Sequence, residues 1–265
     1  MTLRQRFDLV IFDWAGTMVD FGCQAPVKAM LAAFAQEGVV IGLPIVRAHM
    51  GRSKIEHVRA ILEDADVAAA WRTRFGRAAQ ECDVESLMVR LGPLMRDYAA
   101  STSTLIPGAR ATVERLRAAG LKIGSSTGYT PEMMAPVLAR AAQQGYAPDH
   151  LVCSGGTPVG RPAPLMIYKA CAELGVWPLD RVVKVDDAVV GIAEGQAAGA
   201  FTIGVCSGNL LGLSLGAFEA LSAAERAEHL EAARRPLLAA GADLVIDSVA
   251  DLVPALEKAT IRDNA

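Results

Sequence analysis

The run Val10-Ile11-Phe12-Asp13-Trp14-Ala15-Gly16-Thr17 passes from apolar residues to a carboxylate and then into a glycine-containing turn. Apolar residues in unbroken succession read as a strand covered on both faces, the pattern of parallel sheets. A carboxylate at the carboxyl end of such a strand lies in the crevice where open α/β sheets bind ligands. Working outward, short apolar runs of the same character recur at 8–12, 121–125, 150–153, 182–185, 201–205 and 243–246. Amphipathic segments of helical length lie between most of them, at 109–119, 131–144, 164–174, 189–198 and about 218–239. Gly120, Gly145, Gly175 and Gly199 stand where these helices should stop. Strand alternating with helix implies a parallel α/β sheet with right-handed crossovers.

The alternation stops between residues 21 and 103. Helical patterns occur there at 26–37, 53–63, 67–80 and 84–98, with no convincing strand. The expected organisation is therefore a Rossmann-like parallel-sheet core domain of 1–20 and 104–265, with a small all-helical cap domain of 21–103 inserted after strand one. An insert at that point can lie over the carboxyl ends of the strands. No internal repeat or low-complexity tract is present, and the polar closing segment 261–265 is expected to fray.

Composition narrows the partners. The 265 residues are 52% apolar, enough for a sizeable core, and carry a net charge of −3 with a pI near 5.9. That balance offers no attraction for nucleic acid or an anionic membrane, so a small anionic substrate would need a local positive site. Cys23, Cys82, Cys153, Cys171 and Cys206 are scattered, odd in number and without a C-x-x-C pair, as expected of free thiols in a reducing cytosol. The polar start, 1–7, lacks a signal peptide's apolar core. The long apolar stretch 197–218 is broken by Ser207, Gly208, Asn209, Gly212 and Gly216, and reads as a strand and loop, not a membrane span. A cytoplasmic protein is expected.

Four motifs fall at successive strand ends. Asp13 could attack phosphorus and form an aspartyl phosphate, or could simply cap the next turn. Ile123-Gly124-Ser125-Ser126-Thr127-Gly128-Tyr129 ends a second strand in hydroxyls suited to phosphate oxygens, or to an ordinary turn. Gly160-Arg161-Pro162-Ala163-Pro164 brings a guanidinium on a stiff loop, suited to neutralising phosphate. Val183-Lys184-Val185-Asp186-Asp187 ends in paired carboxylates, suited to an oxygen-ligated Mg²⁺ or to capping the following helix. Each motif alone is modest; their order together carries the weight.

This order of Asp, Ser/Thr, Lys/Arg and acidic pair resembles the haloacid dehalogenase superfamily over nearly the whole chain, and the helical insert matches its small cap. Most phosphatases of that superfamily read Asp-x-Asp at the first motif, where the second Asp protonates the leaving group. Here that position is Ala15. The insert contains Met50-Gly51-Arg52-Ser53-Lys54-Ile55-Glu56-His57-Val58-Arg59-Ala60. With Asp13-Trp14-Ala15-Gly16-Thr17, Thr127-Gly128-Tyr129-Thr130 and Gly160-Arg161-Pro162, it resembles the phosphonoacetaldehyde hydrolase family.

The resemblance implies hydrolysis of the C–P bond of a small phosphonate aldehyde. Asp13 would be the nucleophile and Lys54 would form an imine with the aldehyde. Mg²⁺ would be held by Asp13, the main-chain oxygen of Ala15 and Asp187, in a cap-mediated homodimer. An iminium one bond away accepts the electron pair of the breaking C–P bond, so no acid is needed at Ala15. Arg161 would neutralise phosphoryl oxygens. Of Ser126 and Thr127, Thr127 is the expected phosphate contact. His57, which shares a face with Lys54 if the segment is helical, is expected among the catalytic residues, and Arg52 and Arg59 would add positive potential. Met18 departs from the family pattern, as does Gly191, where some relatives carry an Asp that Asp186 could replace.

The competing readings are a phosphate-ester phosphatase or phosphomutase, which Ala15 disfavours, a dehalogenase, which leaves Lys54 and the acidic pair unexplained, and a non-catalytic binding protein on the same fold. His49, His150 and His229 have no ligand spacing, and Ser154-Gly155-Gly156-Thr157 lacks a P-loop ending. Gly191, Gly195 and Gly199 read as tight helix packing, Trp71 and Trp177 as core or interface.

Overall fold

The computed structural model of the chain describes residues 2–262. Six strands form one sheet: β1 (Leu9–Phe12), β2 (Lys122–Thr127), β3 (His150–Cys153), β4 (Val182–Asp186), β5 (Phe201–Val205) and β6 (Leu244–Ile246). Their order is β3-β2-β1-β4-β5-β6, with every neighbouring pair parallel. All six expected strands are present, and the fold is the α/β class that their alternation with helices implies.

β1 is central because it can be apolar on both faces. Val10 and Phe12 enter the large core shared with the helical insert, whereas Leu9 and Ile11 pack with Ile167 and Ala170 of the helix Leu165–Leu174. Each such side chain contributes roughly 1.5–3 kcal/mol on burial. β1 pairs with β2 on one side and β4 on the other. The chain order reverses there, which opens a crevice above the carboxyl ends of these three strands.

Between β1 and β2 lie the insert helices Gln24–Gln36, Leu43–Ala48, Lys54–Glu63, Ala65–Phe75 and Glu81–Thr102, and then the helix Ala109–Ala118 that leads into β2. Glu81–Thr102 buries Val84, Leu87, Leu91, Met95 and Ala99, a spacing of three and four that makes one apolar stripe. Lys54–Glu63 starts where it does because Ser53 caps it, its hydroxyl accepting from the Glu56 amide at 3.3 Å.

Four expectations need correction. The segment 218–239 is two helices, Leu215–Glu219 and Ala223–Ala239, because Ser222 and Glu225 form a capping box that restarts the chain. The segment 67–80 stops at Phe75, where Gly76 takes a left-handed conformation. The short helices Leu3–Arg6 and Leu43–Ala48 and the closing helix Leu252–Arg262 were not expected. Of the segment 261–265, residues 261 and 262 are helical and 263–265 lie outside the described residues. Gly120, Gly145, Gly175 and Gly199 all have positive φ, as helix stops do. All five cysteines are unpaired. No helix among the described residues is long and apolar enough to cross a membrane.

Candidate active site

The strand ends bring four motifs to one cleft. Asp13 follows β1, Thr127 closes β2, Arg161 comes from the loop after β3, and Asp187 follows β4. The insert adds Lys54, the first residue of its helix. All five line the same cleft, as does Ala15. A larger apolar groove of about 640 Å³, beside Tyr168 and Trp177, lies elsewhere and has no charged residue in its lining. Trp71 is core, whereas Trp177 is exposed on that groove.

Asp13 does not cap the next turn. Its Oδ1 accepts from Arg161 Nη1 at 2.8 Å. Arg161 Nη2 donates to the Ser126 main-chain oxygen at 2.8 Å and to Ser126 Oγ at 2.9 Å. Ser126 Oγ also accepts from Lys184 Nζ at 2.9 Å, so this hydroxyl is enclosed in the network, while Thr127 stands on the cleft wall. Lys184 Nζ lies 3.0 Å from Asp186 Oδ2 and 3.3 Å from Glu194 Oε2. Arg161 Nε lies 2.9 Å from the same Glu194 oxygen, an ion pair off the line of a hydrogen bond. Burial first, then the neighbouring Asp186 carboxylate, raises the Asp13 pKa to about 6, against Arg161 and Lys184.

Asp13, Asp186 and Asp187 each present an oxygen within 4.8 Å of the others. Asp187 accepts from Thr17 Oγ1 at 3.1 Å and from the Asn209 amide at 2.6 Å. Its carboxylate fits because Gly16 and Gly208 carry no side chain: a Cβ on either would lie within 2.2 Å of Asp187 Oδ2. Neither acidic residue caps the following helix, whose N-cap is Ala188. A Cβ on Gly191 would meet the Asp186 carboxylate at 2.0 Å, so Asp186 fills the space a side chain at 191 would take. The tight packing expected of three glycines holds at Gly195, against Thr202 and Lys184, while Gly199 ends its helix with open space around it.

The buried carboxylates Asp13, Asp186, Asp187 and Glu194 are met in this network by two cations, Arg161 and Lys184. Burial and the repulsion of Asp13 and Asp186 push Asp187 well above the carboxylate range. An all-oxygen cluster with two uncompensated negative charges fits a hard divalent cation.

Lys54 is 3% exposed, and its Nζ lies 5.1 Å from the centre of the Tyr129 ring. Burial lowers its pKa; Cys23 and Asp13 oppose that shift and Arg161 adds to it. His57 is fully buried one turn on but lies outside the cleft lining, its Nε2 donating to the Val46 carbonyl at 2.8 Å. Burial and then Lys54 push its pKa down to about 3, so the ring is neutral. Arg52 lines the cleft. Arg59 does not add free positive potential, because Glu56 and Glu81 pair with it on the surface.

Sequence reading gave no individual role in the site to Cys23, Tyr129, Met50, Lys184, Glu194 or Asn209. Two of these left a signal: Lys184 interrupts an apolar strand, and Glu194 interrupts the apolar helix Val189–Ala198.

The sequence pattern of the haloacid dehalogenase-like hydrolases matches residues 7–199. The chain is 46% identical to the phosphonoacetaldehyde hydrolase of Paraburkholderia phytofirmans, over 92% of each chain. It is 39% identical to that of Bacillus cereus, over 95% of this chain and 96% of the relative. A crystal structure of a phosphonoacetaldehyde hydrolase-like protein from Oleispira antarctica superposes with a TM-score of 0.95 at 41% identity, covering 97% of this chain and 94% of that one. The chain belongs to the phosphonoacetaldehyde hydrolase family of the haloacid dehalogenase-like hydrolases.

Proposed function

We propose that the chain hydrolyses the C–P bond of phosphonoacetaldehyde to acetaldehyde and phosphate, with Mg²⁺ as cofactor. The names of its relatives support the substrate. The observation that carries the chemistry is a buried lysine, Lys54, in one cleft with a carboxylate and a guanidinium at the strand ends. Burial favours the neutral amine, the form that condenses with an aldehyde.

Lys54 Nζ attacks the aldehyde carbon, and loss of water leaves an iminium. Asp13 attacks phosphorus with the oxygen that Arg161 does not hold. The C–P electron pair moves into the iminium to give an enamine, and an aspartyl phosphate forms on Asp13. Protonation of the enamine carbon and hydrolysis of the imine release acetaldehyde and free Lys54. Water attack on the aspartyl phosphate releases phosphate. Arg161 and Thr127 hold phosphoryl oxygens. His57 is neutral behind Lys54 and keeps its helix against Val46. Asp13, Asp187 and the main-chain oxygen of Ala15 would hold Mg²⁺, with Asp186 beside them. When bound, the ion neutralises charge on the phosphoryl group. An alkoxide leaving group would need an acid where Ala15 stands, which disfavours a phosphate ester as substrate.

This reading takes 21–103 as a cap over a core of 1–20 and 104–265, in a cytoplasmic homodimer; five unpaired thiols suit a reducing compartment. The deciding experiment measures acetaldehyde and phosphate released from phosphonoacetaldehyde with and without Mg²⁺. Equal amounts of the two products in the presence of Mg²⁺ are expected. Release of phosphate from simple phosphate esters, with none from the phosphonate, would overturn the reading.

A further inference from the structure

Glu194 and Lys184 are fully buried charges to which the reaction above gives no work. Glu194 projects from the helix Val189–Ala198 toward β4 and the loop after β3. Its Oε2 lies 2.9 Å from Arg161 Nε and 3.3 Å from Lys184 Nζ, and accepts from Ser126 Oγ at 3.4 Å. A buried ion pair is seldom the most stabilising way to fill a core, since apolar residues of similar volume often do as well. A role beyond packing is therefore worth seeking.

The geometry around Arg161 supplies one. A guanidinium is flat, so contacts on separate nitrogens fix its plane. Nη2 donates twice to Ser126, Nη1 donates to Asp13 and lies 3.4 Å from Asp186 Oδ2, and Nε lies 2.9 Å from Glu194 Oε2. The Nη1 edge is the one left beside Asp13 and the cleft. Glu194 is the charge beside Nε, away from Nη1, and Lys184 Nζ lies 3.3 Å from the same Glu194 oxygen.

We infer that Glu194 is a positioning residue, which sets the plane of the Arg161 guanidinium so that its Nη1 edge meets a phosphoryl oxygen beside Asp13. This rests on the reading of Arg161 as a phosphoryl-binding group. The alternative is that Glu194 only balances the charge of Lys184.

Two variants separate them. Glu194→Gln keeps the shape and removes the charge. Glu194→Asp keeps the negative charge in the buried network, which charge balance alone requires, but draws the carboxylate back by one methylene from the oxygen position shared by Arg161 and Lys184, and carries the test if the Gln variant does not fold. Inorganic phosphate is titrated calorimetrically into each Mg²⁺-loaded protein, and borohydride trapping of acetaldehyde on Lys54 is measured in parallel. The phosphate Kd should rise about tenfold in Glu194→Gln, as expected when a charged contact is lost, and by a smaller factor in Glu194→Asp. Trapping on Lys54 should stay at the wild-type rate in both. Wild-type phosphate affinity in Glu194→Asp overturns the positioning role, and so does a parallel loss of phosphate binding and Lys54 trapping. A wild-type protein that binds phosphate but neither traps acetaldehyde nor cleaves the phosphonate would sink the C–P reading alone. One that binds no phosphate would sink this inference.

Discussion

In the proposed reaction Asp13 and Lys54 act on different atoms of the substrate, so the step assigned to each can be measured separately. Asp13→Asn should lower turnover by about three orders of magnitude or more, since an amide cannot form the acyl phosphate. Its capacity for acetaldehyde trapping on Lys54 should survive. Steady-state release of phosphate and mass spectrometry of the Ser53-Lys54-Ile55 peptide read the two separately. Lys54→Arg should abolish both trapping and C–P cleavage, because a guanidinium stays protonated. For the unaltered protein, the trapping rate should rise with pH. Burial lowers the Lys54 pKa, so the neutral amine gains ground below the ordinary lysine value of about 10.4. A midpoint at or above that value would contradict a desolvated lysine. At this scale much was legible. Asp13 and Asp187 stand out because they follow apolar strands, Arg161 because it stands in a stiff Gly-Arg-Pro loop, and Ala15 because it replaces an expected acid. Glu194 was legible only as a charge interrupting an apolar helix: its partner Arg161 stands 33 residues away in the chain, and only the fold brings the two together.

The insert helix Lys54–Glu63 shows how an element delivers a residue. Ser53 starts it, Lys54 opens its first turn over Tyr129, and His57 ties it to the preceding helix through the Val46 carbonyl. His57 titrates near pH 3 in the folded protein and near 6.5 when unfolded. As pH falls below about 6.5, the unfolded chain takes up a proton that the folded chain refuses. Stability contributed by this group is therefore present above 6.5 and lost progressively toward pH 3. Replacing the imidazole by an amide, His57→Gln, keeps a donor for Val46 and should flatten the fall in melting temperature between pH 6.5 and 4. An unchanged slope would place the acid sensitivity elsewhere. The element was visible in sequence as the helical pattern at 53–63. The helix Leu43–Ala48, which receives the His57 bond, was not, because six residues cannot display a helical period.

At the scale of the molecule, Arg47 joins insert to sheet. Its Nη1 donates to the Gly22 carbonyl at 3.2 Å and the Asn209 carbonyl at 3.0 Å, and Nη2 to the Gly212 carbonyl at 3.0 Å. Asn209 in turn donates its backbone N–H to Asp187. Arg47→Ala should loosen the insert and the loop that orders Asp187 together. The expected result is a KM and a Mg²⁺ requirement each raised about tenfold or more, comparable to losing one or two charged hydrogen bonds. Metal titration at fixed substrate checks it; an unchanged Mg²⁺ dependence would uncouple the two.

The amino-acid sequence by itself determined the six strands, the helical insert after the first of them and the carboxylates at their ends. Those properties are local: an apolar run long enough to be covered on both faces, a glycine where a helix stops, a break in alternation. The tertiary structure decided which charges meet. Asp186 fills the space over Gly191, Ser126 is enclosed while Thr127 faces the cleft, and Arg59 is neutralised on the surface. Each outcome depends on the side of an element that a residue occupies and on what packs there, over distances that no local pattern encodes. Side-chain chemistry is written along the chain, but desolvation and pairing arise only when distant segments close around it.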